Sequence, residues 1–257
     1  MPDLPGGPSW RVASWNVHKC VGADGRFDPR RIARVLGELG ADLVALQEVD
    51  KRLGRRTGLL DTQMLQAETG LELLPVSTLH DGHGWHGNAL LLRPGLAAVE
   101  RIRRLDLPGA EPRGALVVDL APRGGGRLRV VAAHLGLLRR SRRQQVAALL
   151  AAIDDGEAEA PPTLLMGDLN EWRSSPSPRC SLRGLEGLFG HAARFPDSFP
   201  ARLPVLALDR ILGAPRGLVG PVTAHHSPLA RVASDHLPLA ATLRLGDAGA
   251  RALAQAA

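Results

Sequence analysis

The chain has 257 residues, 44% of them hydrophobic and 3% aromatic, with a formal net charge of +6 at pH 7. This length can bury a substantial core, and no apolar run approaches the roughly 20 residues that span a bilayer, so neither a membrane-spanning helical protein nor a disulfide-stapled miniature is expected. Cys20 and Cys180, far apart, read as reduced thiols in a cytoplasm, and the positive charge is arginine except at Lys19 and Lys51, which suits phosphate recognition but equally follows from the Ala-, Gly- and Pro-rich bias of the whole sequence.

Residues 1–9 read as a flexible lead-in, Pro/Gly-rich and carrying Asp3, unlike a secretion signal. WRVASWNV (10–17) is a strand running out at Asn16. A helix follows, with Asp28 as N-cap, Pro29 in its first turn, Ile32, Val35, Leu36 and Leu39 on the apolar face, and Gly40 as its stop. ADLVALQEV (41–49) is a buried strand carrying Glu48 at its far end, and a second helix is expected from Asp61 to Gly70. From 71 onward strands succeed one another: LELLPV, NALLL (88–92), LAAVERI (96–102), ALVVDL (115–120) and LRVVAAHL (128–135). The last two flank Pro122 and Gly124–Gly126, a hairpin signal. Residues 141–153 are a third helix with Val146, Leu149, Leu150 and Ile153 on one face. TLLMGDLN (163–170), VLALDRIL (205–212) and HLPLAATLRL (236–245) are the remaining strands, and 247–257 a flexible tail. Strand runs with helices between them imply two packed sheets with helices outside, here one catalytic domain over 10–246, with Pro/Arg-rich loops at 173–181 and 194–204 beside the polar strand ends.

Those ends carry unusual residues for apolar strands. Asn16, Glu48 and His134 end three of them, Asp168 and Asn170 a fourth, Asp209 lies within a fifth, and Asp235-His236 open the last. An acid in a run such as VLALDRIL is costly to bury without a cation or a donor, and several such residues converging point to a site. Hard oxygen donors without a nearby cysteine favour Mg²⁺ or Mn²⁺ over zinc.

SWNVH (14–18), LQEVD (46–50), GN (87–88), AAHLG (132–136), MGDLN (166–170), LDRIL (208–212) and SDHLP (234–238) resemble, in order and spacing, the endonuclease/exonuclease/phosphatase (DNase I-like, exonuclease III-like) superfamily over residues 10–245. HKCVGADGRFDP (18–29) looks like a branch of uncharacterised bacterial members. The resemblance implies an α/β fold, a four-layer α/β/β/α sandwich of two mixed sheets flanked by helices. It also implies a metal-dependent phosphoester hydrolase: Glu48 as principal metal ligand with Asn16 beside it and Asp235 completing the site, His236 as general base held by Asp209, and Asp168 orienting water or competing for the base role. Asn170 and His134 would donate to the phosphate, while Arg113 and Asn88 would bind it or shape its pocket. Two departures bear on subfamily: His18 stands where repair-type members carry an acid, and His134 where they carry a tyrosine, so a close abasic-site endonuclease is disfavoured.

The expected activity is phosphodiester hydrolysis on nucleic acid. A phospholipid or small phosphodiester, or a phosphomonoester, remains open as substrate, as does a catalytically silent binding module; no stable protein partner is implied. His80, His83 and His86 read as a Gly-rich loop near the substrate or as a second metal site. Arg139, Arg140, Arg142 and Arg143 crowd a helix start and read as an auxiliary anion patch or a solvated face.

Overall fold

The protein is described by a computed structural model over residues 9–51, 54–154, 156, 159–173, 177–190 and 195–245. The flexible ends expected over 1–9 and 247–257 fall, Ser9 apart, outside the described residues.

The strands are β1 (Ser9–Asn16), β2 (Leu43–Gln47), β3 (Glu72–Leu73), β4 (Ala89–Leu92), β5 (Ala97–Leu107), β6 (Arg113–Pro122), β7 (Leu128–His134), β8 (Thr163–Asp168), β9 (Asp209–Ala214), β10 (Thr223–Ala224) and β11 (Leu239–Arg244). The helices are α1 (Pro29–Leu39), α2 (Thr62–Thr69), α3 (Arg139–Ile153), α4 (Glu186–Phe189) and α5 (Ala230–Ala233). One sheet runs β10-β11-β1-β2-β4-β3 and the other β5-β6-β7-β8-β9. Each is mixed, since β1–β2 and β7–β8 are parallel while β1–β11 and β6–β7 are antiparallel.

Three apolar seams hold four layers. Val12, Leu43, Leu90 and Leu239 of the first sheet meet Leu116, Val118, Val130 and Met166 of the second between the sheets. Ile32, Leu36 and Leu65 cover the outer face of the first, against Ala13, Val44 and Leu91. Val146, Leu149 and Ile153 cover the second, against Val117, Val131 and Leu165. Strands β2, β4, β7 and β8 are therefore buried along their whole lengths, which is why they read as continuous apolar runs.

Local chemistry sets the helix ends. Asp28 accepts from Arg31 N at 3.1 Å and Asp61 from Met64 N at 3.0 Å, satisfying N–H groups left over in the first turn. Gly40 and Gly70, at φ 56° and 66°, end α1 and α2 in the left-handed region.

Four sequence expectations need correction. The expected strand LELLPV contracts to Glu72–Leu73, because Pro75 has no N–H to continue the ladder. β9 begins at Asp209 rather than 205: Leu206 N is turned to Phe199 O, at 2.9 Å. Asp209 therefore opens its strand rather than lying within it. β11 begins at Leu239, after Pro238, and Leu237 N is used by Ser198 O at 2.8 Å. Asp235 and His236 thus sit in the loop before the strand. α3 starts at Arg139, two residues earlier than its periodicity indicates.

Candidate active site

Strand register builds the first half of the site. His134 pairs with Asp168 across β7–β8, and Asp168 with Asp209 across β8–β9, so one row of the second sheet carries all three. Close approach of β7 and β8 demands the glycine before Asp168: Gly167 sits at φ 154°, and a Cβ there would collide with the Ala133 carbonyl. The first sheet ends opposite, where Asn16 aligns with Gln47 and Glu48 follows directly. Asn16 Nδ2 donates to Asp168 Oδ2 at 3.0 Å and joins the two sheets at this end.

His236 enters from the loop after α5. Its Nδ1 is 2.8 Å from Asp209 Oδ2, and its Nε2 is 3.7 Å from Asp168 Oδ2. Trp15 Nε1 donates to its carbonyl at 2.8 Å, and the Phe199 ring packs against the imidazole at 4.9 Å. Ser198 Oγ donates to the same Asp209 oxygen at 2.5 Å, so Asp209 is pinned from two sides. Ser234 Oγ donates to Asn16 O at 2.7 Å and ties the loop to β1.

The two imidazoles differ in charge. Burial would depress His236, but the Asp209 and Asp168 carboxylates outweigh it and push the ring up to about 10. Burial dominates at His134, and with the Arg113 guanidinium it overrides the pull of Asp168 and takes the ring down to about 4. Arg113 reaches His134 Nε2 at 2.9 Å and Glu111 Oε2 at 2.8 Å. At neutral pH His236 is therefore an imidazolium and His134 neutral.

Glu48 occupies a left-handed backbone position, φ 60°, unusual for a residue other than glycine and frequent at functional sites. Gly87 backs it: a Cβ on Gly87 would lie 3.3 Å from the Glu48 Cα. Burial opposes ionisation of Glu48, but the His134 ring and the Lys19 ammonium bring its carboxyl down to about 2. Because His134 is uncharged near neutrality, we regard Lys19 as the standing cation there. Its Nζ lies 2.5 Å from Glu48 Oε2, presented by the successive left-handed residues His18, Lys19 and Cys20. Asp235 is half-buried and loosely partnered, by His18 Nδ1 at 3.7 Å and Ser234 Oγ at 3.4 Å.

The other candidates separate. Asn170, also left-handed at φ 52°, donates its N–H to Asp168 Oδ1 at 3.0 Å and its side-chain amide to Leu135 O at 2.9 Å. Asn88 is buried, and its amide bridges Trp85 O and Gly114 O at 3.1 and 3.0 Å. It braces the turn behind Glu48, the role of a strand-start residue. The three loop histidines do not converge on a second metal site: His80 pairs with Asp81, His83 Nδ1 accepts from Leu60 N, and His86 Nε2 binds Asp106. Arg142 is not part of a solvated anion patch. It is buried, bound to Ser181 Oγ at 2.8 Å, Leu137 O at 2.6 Å and Glu171 Oε2 at 3.4 Å, while Arg139, Arg140 and Arg143 remain exposed. Sequence reasoning missed the roles of Lys19, Glu111 and Ser198. Lys19 carried a signal as one of two lysines in an arginine-rich chain; Ser198 carried none.

Among the described residues, one set of three ligand-type atoms lies within 4.8 Å of one another, on Asp168, Asp209 and His236. Asp209 Oδ2 in that set already accepts two hydrogen bonds, so the trio is built to hold a proton. Beside it, Asn16 at the end of β1, Glu48 just after β2 and Asp235 in the loop before β11 present side-chain oxygens as metal ligands, and Cys20 Sγ is turned to Leu59 O at 3.6 Å. An ionised carboxylate whose partner is one flexible ammonium suits a hard divalent ion.

The profile of the Endonuclease/Exonuclease/phosphatase family matches residues 13–236. The Uncharacterized protein YbhP of Escherichia coli (strain K12) is 31% identical over 95% of this chain and 100% of its own length. A crystal structure of an endonuclease/exonuclease/phosphatase from Bacteroides vulgatus superposes with TM-score 0.71 and 20% identity, covering 93% of this chain and 100% of that one. One from Beutenbergia cavernae gives TM-score 0.64 at 24% identity, over 93% and 72%.

Proposed function

The chain belongs to the Endonuclease/Exonuclease/phosphatase family and is a phosphoester hydrolase, and from that premise we propose that it is a Mg²⁺- or Mn²⁺-dependent phosphodiesterase acting on nucleic acid, with residues 10–246 as one catalytic domain. The observation that carries this reading is the row His134–Asp168–Asp209, closed from the other sheet by Asn16 and from its loop by His236. Glu48 would hold the cation, with Asn16 and Asp235 as its neighbours, and the bound ion would supply charge neutralisation at the phosphate oxygens.

The protein's own groups divide the remaining work. Asp168 lies between His134 Nε2, at 3.4 Å, and His236 Nε2, at 3.7 Å, a position that orients an attacking water. Because His236 already carries its proton near neutrality, the Asp168 carboxylate is the group free to accept the water's proton, and His236, oriented by Asp209, donates to the phosphate oxygens. Arg113 and neutral His134 face the phosphate, and a largely covered guanidinium held by Glu111 is a preorganised donor to developing negative charge. Asn170 orders Asp168 through its backbone and contributes its amide edge. Arginine-dominated charge supports the nucleic-acid substrate, for which phosphate contacts govern affinity. No helix among the described residues is long and apolar enough to cross a membrane, and both cysteines are free, which favours the cytoplasm.

A second reading, a phospholipid diester, is favoured by one observation. Leu137, Leu138 and Trp172 are 64%, 55% and 48% exposed, just beyond the strand ends that carry His134 and Asp168. The test is a panel of bis-p-nitrophenyl phosphate, single- and double-stranded DNA, RNA, sphingomyelin and phosphatidyl lipids, with and without EDTA and with His236→Ala as blank. Hydrolysis of DNA or RNA that weakens steeply with salt is expected; activity on lipid alone moves the assignment to the second reading. No turnover above the blank with either metal removes both.

A further inference from the structure

We propose that the cleft flanking Glu48 is a second anion subsite, which takes a terminal phosphate monoester lying next to the scissile phosphoester. The proposal rests on the reading that the scissile group binds at Glu48 and His134. The cleft is narrow, about 50 Å³, room for a single anionic group rather than for a whole small molecule. Four cations line it, Lys19, Lys51, Arg56 and Arg113, against two acids, Glu48 and Asp50.

Both acids are already answered. Asp50 accepts from His83 N at 2.7 Å and Gly84 N at 3.0 Å, and Glu48 faces Lys19. Arg113 is held by Glu111. Lys51 and Arg56 remain. Lys51 is exposed and pairs with no acid among the described residues. Among the described residues the guanidinium of Arg56 hydrogen-bonds to His86 Nδ1 alone, at 3.5 Å, with Asp50 attracting it without a direct contact, and the far nitrogen of that ring is fixed on Asp106 at 2.8 Å. A bridge between Asp50 and Gly58, with Lys51 N donating to Thr57 O at 3.0 Å, brings both cations to one rim.

Composition gives a second, independent line. The sequence contains only two lysines, Lys19 and Lys51, and both line this cleft. A chain that uses arginine for every other cation keeps the compact, freely rotating ammonium at this one place. A phosphate monoester is the group such a pair suits: nearly two negative charges and three acceptor oxygens, met by one point charge and one planar fork. Among the described residues that line the cleft there is no Phe, Tyr or Trp to offer a nucleobase a large stacking face.

The experiment pairs thymidine p-nitrophenyl phosphates with and without a second phosphate, placed on the 3′ or the 5′ oxygen, for wild type and for Lys51→Gln/Arg56→Gln. For one isomer the added phosphate is expected to lower wild-type KM about tenfold. The double variant should lose that gain and hydrolyse the singly charged ester within about twofold of wild type, with an unchanged melting temperature. Short DNA carrying a terminal phosphate or a hydroxyl tells a strand end from a free small molecule as the source. In parallel, calorimetry on His236→Ala protein compares thymidine 3′,5′-bisphosphate with thymidine 5′-monophosphate. Equal affinities there, or equal KM for all the esters, overturn the subsite. Absence of any turnover together with tighter bisphosphate binding overturns the hydrolase assignment and leaves the subsite standing.

Discussion

Lys19 Nζ lies 2.5 Å from Glu48 Oε2, so a protein cation already stands at the carboxylate that we assign to the metal. An incoming divalent ion competes with that ammonium. Both side chains are partly exposed, so the pair is worth on the order of 1 kcal/mol or less. Lys19→Met is therefore expected to tighten Mn²⁺ binding by about threefold to tenfold in calorimetry, and Glu48→Gln to abolish it. Weaker Mn²⁺ binding by Lys19→Met would place the ion away from Glu48.

The Ser198–Asp209–His236 chain predicts a separable defect. Asp209→Asn keeps the shape of the side chain but removes the charge that holds up the His236 imidazolium. On the proposed mechanism kcat is expected to fall by about 10² or more with KM nearly unchanged. Imidazole NMR of the EDTA-treated variant should show His236 titrating well below its wild-type value. A kcat within threefold of wild type would make this pair a structural one.

These contacts divide sharply in how visible they were beforehand. The Asp28 and Asp61 caps, the glycine stops of α1 and α2, and the buried strands β2, β7 and β8 follow from residues a few positions apart, and all appear in the fold. Asn16, Glu48, His134 and Asp168 fall at strand ends as their motifs imply, because each motif is an apolar run followed by its polar terminus. The start of β9 was hidden: Leu206 and Phe199 pair across a loop, and no local periodicity encodes that choice. Arg142 is more instructive. It shares a helical face with Val146, Leu149 and Ile153, so spacing alone points it inward. Reading four arginines as one charge cluster concealed this, because its partner Glu171 lies 29 residues away.

Metal-free protein should lose stability in opposite directions through its two histidines. His236, raised to about 10 from an ordinary 6.5, keeps its proton on folding. Its contribution is full below about pH 6.5 and is lost as pH rises through 10. His134, lowered to about 4, is buried neutral; its contribution is present above about 6.5 and is lost as pH falls through 4. Thermal melts in EDTA should show the alkaline decline flattened in His236→Asn and the acid decline flattened in His134→Asn. An alkaline limb identical in wild type and His236→Asn would show that this ring is not held protonated.

Removing Arg142 should unfold rather than merely weaken the protein's hold on anions. Glu171 is fully buried, and its carboxylate accepts from Ser181 N and Oγ at 2.9 and 2.7 Å and faces Arg142 and Arg173. These partners keep it ionised against burial, with its carboxyl below the usual range. Truncating one member of a buried pair leaves the other charge uncompensated, a cost of about 3–5 kcal/mol. Arg142→Ala is thus expected to lose at least about 3 kcal/mol in urea denaturation, while exposed Arg143→Ala loses under about 0.5 kcal/mol. Glu171 directly follows Asn170, so any Arg142→Ala protein that stays folded should also show a lower kcat than Arg143→Ala. Equal stability of the two variants would mean that water reaches Glu171 and solvates it, and the end of β8 would then be held by Asn16 and Leu135 rather than by the ionic cluster behind it.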